Sequence, residues 1–311
     1  MDVRTTAASQ RADDIPTYYG HSAVKPSLYG WMVAIYIYIS GLAAGLQVVV
    51  TAAELLSLPG NYWVALIGRA IALGLIIVGA LLLIADLHTK QRFFNMLRIF
   101  RPTSPMSFGT YLLLASGLWG LIAVIGQACG VILLGKVCGS LAAVTGWWLC
   151  TYTAALQSAT ATPLWAGSYK LLAMRYAAGA MSTGAAAACL VALGVAPGFS
   201  MALAFGNFAA LALLVEFIAS RGSARILKRI GAYGPLQEPP WGPVNIIGVQ
   251  LFGLVIAFAL FIAANFFATF ALLLAGSILA LVGGLLMRAV IMFTGNESAQ
   301  RPRDYFRFAR A

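Results

Sequence analysis

The chain has 311 residues, of which 61% are hydrophobic and only 9% are charged, and its mean hydropathy is +0.88. This composition excludes a soluble globular protein and is typical of a helical protein that crosses a membrane several times. The net charge of +11 does not indicate a nucleic-acid-binding protein, because the cations lie at the ends of apolar segments and not in a patch interleaved with exposed aromatic residues.

A polar arm, residues 1–27, comes first and lacks the basic, apolar and small-residue pattern of a cleaved signal peptide. Apolar segments follow, each near the roughly 20 residues that cross a ~30 Å hydrocarbon core. Eight spans are predicted, at 28–50, 62–85, 108–128, 139–157, 171–195, 200–219, 244–264 and 267–293. The last two require a turn near Asn265, since one helix of about 50 residues would be about 75 Å long.

The predicted fold is therefore an all-α membrane protein. Eight transmembrane helices over residues 28–293 are expected to form two four-helix bundles, and residues 294–311 are expected to form a basic C-terminal tail.

An even number of spans puts both termini on one face of the membrane, together with loops 86–107, 158–170 and 220–243. Of the 20 Lys and Arg residues, Arg69 and Arg288 fall within spans and Lys136 lies on the opposite face, which leaves 17 on the termini face. The positive-inside rule places that face in the cytoplasm.

The connection between the second and third spans is more polar than a simple linker requires, which indicates a functional loop. It joins two apolar helices through residues 86–107 and has no acid nearer its cations than Asp86. Aromatic and aliphatic residues alternate with those cations, so a short helix here could lay an apolar face on the membrane and keep its charges in water. The loop cations are Lys90, Arg92, Arg98 and Arg101.

Four stretches resemble the NrfD family, the polysulfide-reductase-type integral membrane subunits. Residues 84–109, IADLHTKQRFFNMLRIFRPTSPMSFG, are similar to the family's loop, whose usual form is close to ADLGRPERFxNMLRxxxPTSPMSxG. Residues 151–165, TYTAALQSATATPLW, are similar to its YTGxLLxATxxPLW. The stretches IYIYISGLAAG, residues 35–45, and GGLLMRAVIMFTG, residues 283–295, resemble its first helix and its closing segment.

The resemblance implies a quinone-reactive subunit of a bacterial cytoplasmic (inner) membrane oxidoreductase. It implies that a ferredoxin-like iron–sulfur partner docks on the 86–107 loop, through Arg92, Arg98 and Arg101, and that a molybdopterin catalytic subunit commonly follows. It also implies that a fourth-helix tyrosine, here Tyr152, binds quinone with polar residues from the start of the first helix. In the polysulfide reductase the partner subunits are exported and dock on the outer face. If this chain followed that arrangement, its cationic face would point outward, which is the alternative to the cytoplasmic assignment.

Metal chemistry has few candidate ligands in this sequence. The only histidines are His21 and His88, whereas a transmembrane b-type haem normally needs two facing axial ligands. The four cysteines lie in or beside apolar segments and form no C-x-x-C pair, so neither a cluster nor a zinc site is indicated. We expect no bound metal or covalent cofactor, with quinone or quinol as substrate, and no catalysis by this subunit alone.

Several polar residues are predicted within the spans, where they are costly and therefore functional candidates. One interpretation makes Arg69–Glu54, and Arg288 with Glu216 or Asp86, structural ion pairs. The other makes these groups a proton route that begins at a quinone pocket. The candidates for that route are Asp86, Glu216, Arg288, Gln47, Glu54 and Arg69.

A quinone headgroup needs hydrogen-bonding groups for its carbonyls and an apolar groove for its tail. Tyr152 lies within two turns of the end of its span, on the same face as the 86–107 loop. The alternative is a buried tyrosine bonded to a nearby carbonyl, and the tryptophans at span ends could simply be interfacial anchors. The quinone-binding candidates are Tyr152, Asp86, His88, Trp31 and Tyr29.

A rival interpretation is a secondary transporter or channel that uses the buried charges as a substrate path. Such proteins often interrupt their helices with Gly or Pro in mid-membrane. Here the prolines nearest the spans lie at span ends, which disfavours the rival. Five of them illustrate this, Pro59, Pro102, Pro105, Pro163 and Pro197.

Overall fold

The structure is a computed structural model that describes residues 29–57, 61–86, 98, 100–101, 104–160, 162–195 and 199–301. Within these ranges the chain forms helices and short connections, with no strand. Eight helices are long and apolar enough to cross a membrane, which confirms the all-α, eight-span prediction. They are α1 Trp31–Leu55, α2 Asn61–Asp86, α3 Pro105–Ala128, α4 Ile132–Ser158, α5 Tyr169–Val195, α6 Phe199–Arg229, α7 Trp241–Phe267 and α8 Phe270–Gln300.

Most helices run past the apolar segments that predicted them. The largest difference is at α6, which continues ten residues beyond the predicted end at position 219, to Arg229. α8 likewise continues to Gln300, so the first part of the predicted tail is helical. Hydropathy marks where the side chains stop being apolar, but the backbone hydrogen bonds of a helix can continue into the polar layer beside the membrane.

The central helix is α1, which packs against α2, α4, α5 and α8. Small residues allow the close approach of α1 to α5, because an added Cβ on Gly45 would overlap the Ala180 carbonyl and one on Gly184 would overlap the Gly45 backbone. Since α1 contacts helices from both halves of the chain, the grouping into two four-helix bundles stays a prediction.

The seventh span is not a uniform α-helix. Residues Val244–Ile256 are π-helical, and the α-helical segment Ala257–Phe267 follows. Gly253 in the π-helical part faces Gly283 of α8, where an added Cβ on Gly253 would lie 2.6 Å from the Gly283 Cα. The turn predicted near Asn265 is present, since α7 ends at Phe267 and Ala268 adopts a left-handed conformation with φ 45°.

Candidate functional site

Two buried tyrosines meet between α1 and α4. The hydroxyls of Tyr36 and Tyr152 share a hydrogen bond, and the two residues are only 3% and 7% exposed. Tyr36 lies about 8 Å inside the first residue of α1, and Tyr152 lies about 9 Å inside the last residue of α4. Both helix ends are on the termini face, so the two hydroxyls are at a similar depth.

Two glycines let neighbouring helices close around this pair. Gly109 of α3 lies against the Tyr152 ring, which an added Cβ would overlap. Gly79 of α2 lies beside the first helix, where an added Cβ would be 3.1 Å from Ser40 Oγ and 3.6 Å from Tyr36 Cδ2. Four helices therefore enclose three hydroxyl groups, those of Tyr36, Ser40 and Tyr152.

The other quinone candidates lie in different surroundings. Trp31 is exposed, and its ring centroid lies 4.5 Å from that of Phe293 in α8. Tyr29 is half-buried, 5.8 Å from the Trp165 ring, and its carbonyl accepts a hydrogen bond of 2.9 Å from Asn296 Nδ2. Burial raises the pKa of the Tyr29 phenol above its ordinary value, so the hydroxyl keeps its proton at neutral pH.

These contacts place Trp31 and Tyr29 on the α8 side of α1, whereas Tyr152 contacts Tyr36 and Gly109. Asp86 is exposed as the last residue of α2. His88 lies outside the described residues.

The predicted docking loop is described only at its end. Arg98 and Arg101 are exposed, whereas Arg92 lies outside the described residues. The Arg101 backbone N–H donates a hydrogen bond of 3.1 Å to Ser107 Oγ in α3. The Phe100 ring packs edge-on against Tyr111, with 4.8 Å between ring centroids. These contacts fix the end of the loop to the helix that carries Gly109.

The comparisons with known proteins bear on the same residues. The sequence matches the family model described as polysulphide reductase, NrfD, over residues 21–298. The chain belongs to the NrfD family. No curated protein matches it. Both motifs that meet at Gly109 and Tyr152 lie inside the matched region.

Beyond the tyrosine pair, this NrfD chain buries a complete ion pair near the opposite face. Arg69 of α2 pairs with Glu54 of α1, and the two residues are 1% and 5% exposed. Arg69 also donates to Gln127 Oε1 of α3 at 2.7 Å and to Thr51 Oγ1 at 3.4 Å. Gly139 of α4 leaves the room for the guanidinium, since an added Cβ would overlap it. This part of the ion-pair interpretation is confirmed.

Gln47 of α1 has its own hydrogen-bond partner, on α3. Its Oε1 accepts a hydrogen bond of 2.7 Å from Ser116 Oγ of α3, and Gly120 and Gly146 line its amide. Gln47 precedes Glu54 by seven residues, about 10 Å along α1. The structure therefore brings Glu54 and Arg69 together and leaves Gln47 in a separate polar contact.

A third cluster of polar groups lies around Arg288 of α8. Its guanidinium donates to the Tyr176 carbonyl at 3.2 Å and to the Gly284 carbonyl at 3.4 Å, and lies 5.3 Å over the Tyr176 ring. Gly179 of α5 faces both this arginine and Glu216 of α6, since an added Cβ would lie 3.2 Å from Arg288 Nη1 and 3.1 Å from Glu216 Oε2.

The ion pairs considered for Arg288 are wrong within the described part of the chain. Neither Glu216 nor Asp86 pairs with it there, and the contacts of Nη1 and Nη2 are instead with the Gly284 and Tyr176 carbonyls. Glu216 instead accepts a hydrogen bond of 3.4 Å from Ser182 Oγ.

The sequence analysis missed Arg175, which it counted among the cations of the termini face. Arg175 is only 5% exposed within α5, and its Nε and Nη2 groups have no hydrogen-bond partner. It lines a cavity of about 10 Å³ with Ser220, Tyr233 and Asn245, among others. The available signal was its position inside the predicted span 171–195. Tyr36 was also missed as a partner of Tyr152, although it lies in the IYIYISGLAAG motif.

Proposed function

We propose that this chain is the quinone-reactive membrane subunit of a multi-subunit oxidoreductase. In this proposal electrons pass between the membrane quinone pool and a ferredoxin-like iron–sulfur subunit. A molybdopterin subunit beyond that partner then carries the substrate chemistry. Family membership supports this function over the transporter or channel.

The observation that carries the proposal is the Tyr36–Tyr152 hydroxyl pair held against Gly109. Reduction of a quinone takes two electrons and two protons at its two carbonyl oxygens, so the site needs O–H donors at those oxygens. Two phenols that share one hydrogen bond use one of their two O–H groups, and the other can donate to a carbonyl. A preformed donor in an apolar surrounding orients the headgroup while the tail stays in the membrane.

The depth of the pair suits exchange with a docked partner. Gly109 lies about 6 Å inside the first residue of α3, directly after the loop that carries Arg98 and Arg101. We propose that these exposed arginines, together with Arg92, attract an acidic surface of the iron–sulfur subunit. A partner bound there would lie on the side of the membrane nearest the hydroxyl pair.

Proton exchange with water would use groups at the same face. We propose that Asp86 and His88 exchange protons between the quinone pocket and the aqueous phase. Protons crossing the membrane would first pass the groups around Glu216 and Arg288. They would then pass Gln47, Glu54 and Arg69 towards the opposite face. Arginine stays charged, so its part in this proposal is to stabilise the carboxylates, which carry the proton.

We propose that the protein lies in a bacterial cytoplasmic membrane with both termini in the cytoplasm. The support is the excess of Lys and Arg on the termini face. An exported partner, as in the polysulfide reductase, would require the reverse orientation.

The test of this function is Tyr152→Phe in the assembled complex. It should lose quinone-dependent turnover and keep activity with an artificial acceptor that draws electrons from the soluble subunits. An unchanged quinone-dependent rate would contradict the proposal.

A further inference from the structure

Helix α6 is longer than the membrane is thick. Its 31 residues span about 46 Å, against ~30 Å for the hydrocarbon core. Because α6 begins at Phe199 on the opposite face, its first 20 or so residues cross the core. Residues 220–229 then lie in the headgroup layer of the termini face.

One exposed stripe of α6 changes from apolar to cationic at that level. Its members are spaced by three and four residues alternately, which puts them on one face of the helix. The three apolar members are 58%, 42% and 58% exposed, and the three cationic members are exposed as well. In chain order the stripe is Leu211, Leu214, Ile218, Arg221, Arg225 and Lys228.

The start of α5 repeats this arrangement beside the stripe. Lys170 and Met174 are both exposed and one turn apart, with the cation nearer the termini face. The neighbouring Leu171 packs on Gly222 of α6, where an added Cβ would lie 3.0 Å from Leu171 Cδ1. Lys170 therefore lies close to the point where the stripe becomes cationic.

These cations have no acidic partner within the part of the chain that the structure describes. The ion pairs found there involve only Glu54, Glu238 and Glu297. The Arg221 guanidinium instead lies 5.2 Å over the Phe217 ring, and Lys228 Nζ lies 4.9 Å over the Tyr233 ring. Aromatic contacts of this kind leave the positive charge available to an anion.

We propose that the headgroup of an anionic phospholipid binds to the three cations of the α6 stripe and to Lys170 of α5. These four residues are named the basic stripe, and they are Lys170, Arg221, Arg225 and Lys228. The phosphate lies among the cations, and the acyl chains run along Leu211, Leu214 and Ile218. A lipid fits better than an acidic protein, because the apolar half of the surface is level with the hydrocarbon core, which a soluble partner does not reach. This inference does not depend on the quinone function.

The test is native mass spectrometry of the full-length chain in detergent, titrated with phosphatidylglycerol or with phosphatidylcholine. Arg221→Gln with Arg225→Gln should weaken phosphatidylglycerol binding about 25-fold, since each interfacial cation changes affinity about five-fold. Phosphatidylcholine binding should not change. Arg221→Lys with Arg225→Lys keeps the charge and should restore binding, which separates the effect from misfolding.

The matched control is Arg98→Gln with Arg101→Gln, which removes the same charge from the same face. An equal loss in this control would overturn the proposal, because it would show a general attraction to the cationic face. Equal affinity for the two lipids would also overturn it. So would a stripe variant that keeps its lipid but loses a co-purifying soluble protein, since the surface would then be a protein interface.

Discussion

The hydroxyls of Tyr36 and Tyr152 share a hydrogen bond across the contact between α1 and α4, although the residues are 116 positions apart in the chain. Tyr36 comes from the first-helix motif and Tyr152 from the fourth-helix motif. Gly109, which closes the slot around the Tyr152 ring, is the last residue of the loop motif. Three separate parts of the sequence thus meet at one place in the fold.

The first prediction concerns the glycine of this slot. Gly109→Ala places a methyl group where the Tyr152 ring lies, so the ring must shift and its hydrogen bond with Tyr36 is disturbed. We expect a loss of about 1–3 kcal/mol in the free energy of unfolding, together with a lower quinone-dependent rate. Thermal unfolding in detergent and steady-state kinetics measure the two effects.

The control for this variant is Gly117→Ala on the same helix. There an added Cβ meets Ile76 Cγ2 at 3.4 Å, an ordinary contact. Equal behaviour of the two variants would show that the tyrosine ring does not need the slot.

The second prediction concerns the buried ion pair. Glu54→Gln leaves the Arg69 charge buried without its carboxylate, which should cost about 3–5 kcal/mol of stability. The double variant Glu54→Gln with Arg69→Met should recover much of that loss. Quinone binding should persist in both, because the pair lies near the opposite face.

Arg301→Gln provides the matched exposed case. Arg301 is partly exposed and pairs with Glu238 and Glu297, so its loss should cost only about 0–1 kcal/mol. If Glu54→Gln were as mild as Arg301→Gln in thermal unfolding, the buried pair would have no special structural role.

The third prediction concerns the balance of charge around Arg288. The buried side chains of Arg175, Arg288 and Glu216 comprise two guanidinium groups and one carboxyl group. Glu216→Gln leaves two buried cations without a counter-charge, whereas Arg175→Gln leaves one of each sign. Glu216→Gln should therefore lower the midpoint of thermal unfolding more than Arg175→Gln does. The opposite order would mean that the two arginines do not depend on Glu216.

The sequence predicted the fold well because membrane spans are recognised by their apolar composition. Recognising them requires no knowledge of which helices touch. Helix ends were less accurate, since α6 continues from Ser220 to Arg229 through a stretch in which charged residues, serines and a glycine interrupt the apolar run. For the same reason, the basic stripe follows from the structure and not from the apolar segment alone.

The candidate site was predicted only in part. Tyr152 was predicted from its motif, but its partner Tyr36 depends on which helices touch, which a single sequence does not show. The ion pairs depended on the same missing knowledge of helix contacts. The Arg69–Glu54 pair was correct, and the Arg288 pairs were wrong. Gly179 lies beside both Arg288 and Glu216, yet Arg288 Nη1 and Nη2 donate to the Gly284 and Tyr176 carbonyls and not to Glu216.

The fourth prediction concerns assembly. Arg92→Glu with Arg98→Glu should release the iron–sulfur subunit while leaving this chain inserted, because like charges would then face an acidic partner. Co-purification of the partner measures the effect, and Lys136→Glu on the opposite face is the control. Recovery of the partner at wild-type yield from the double variant would count against docking on this loop.

The most direct test of the account is a pair of rates measured on the purified complex, one with quinone and one with an artificial acceptor. Tyr152→Phe and Tyr36→Phe each remove one hydroxyl and should lower the quinone-dependent rate at least about tenfold. The artificial-acceptor rate should stay unchanged in both. Tyr38→Phe is the control, since its hydroxyl donates to the Leu281 carbonyl at 3.0 Å, away from the pair.

The account predicts that only the variants of the hydroxyl pair lose quinone-dependent turnover. Unchanged quinone-dependent rates in both Tyr152→Phe and Tyr36→Phe, or an equal loss in Tyr38→Phe, would contradict the placement of the quinone headgroup at this pair.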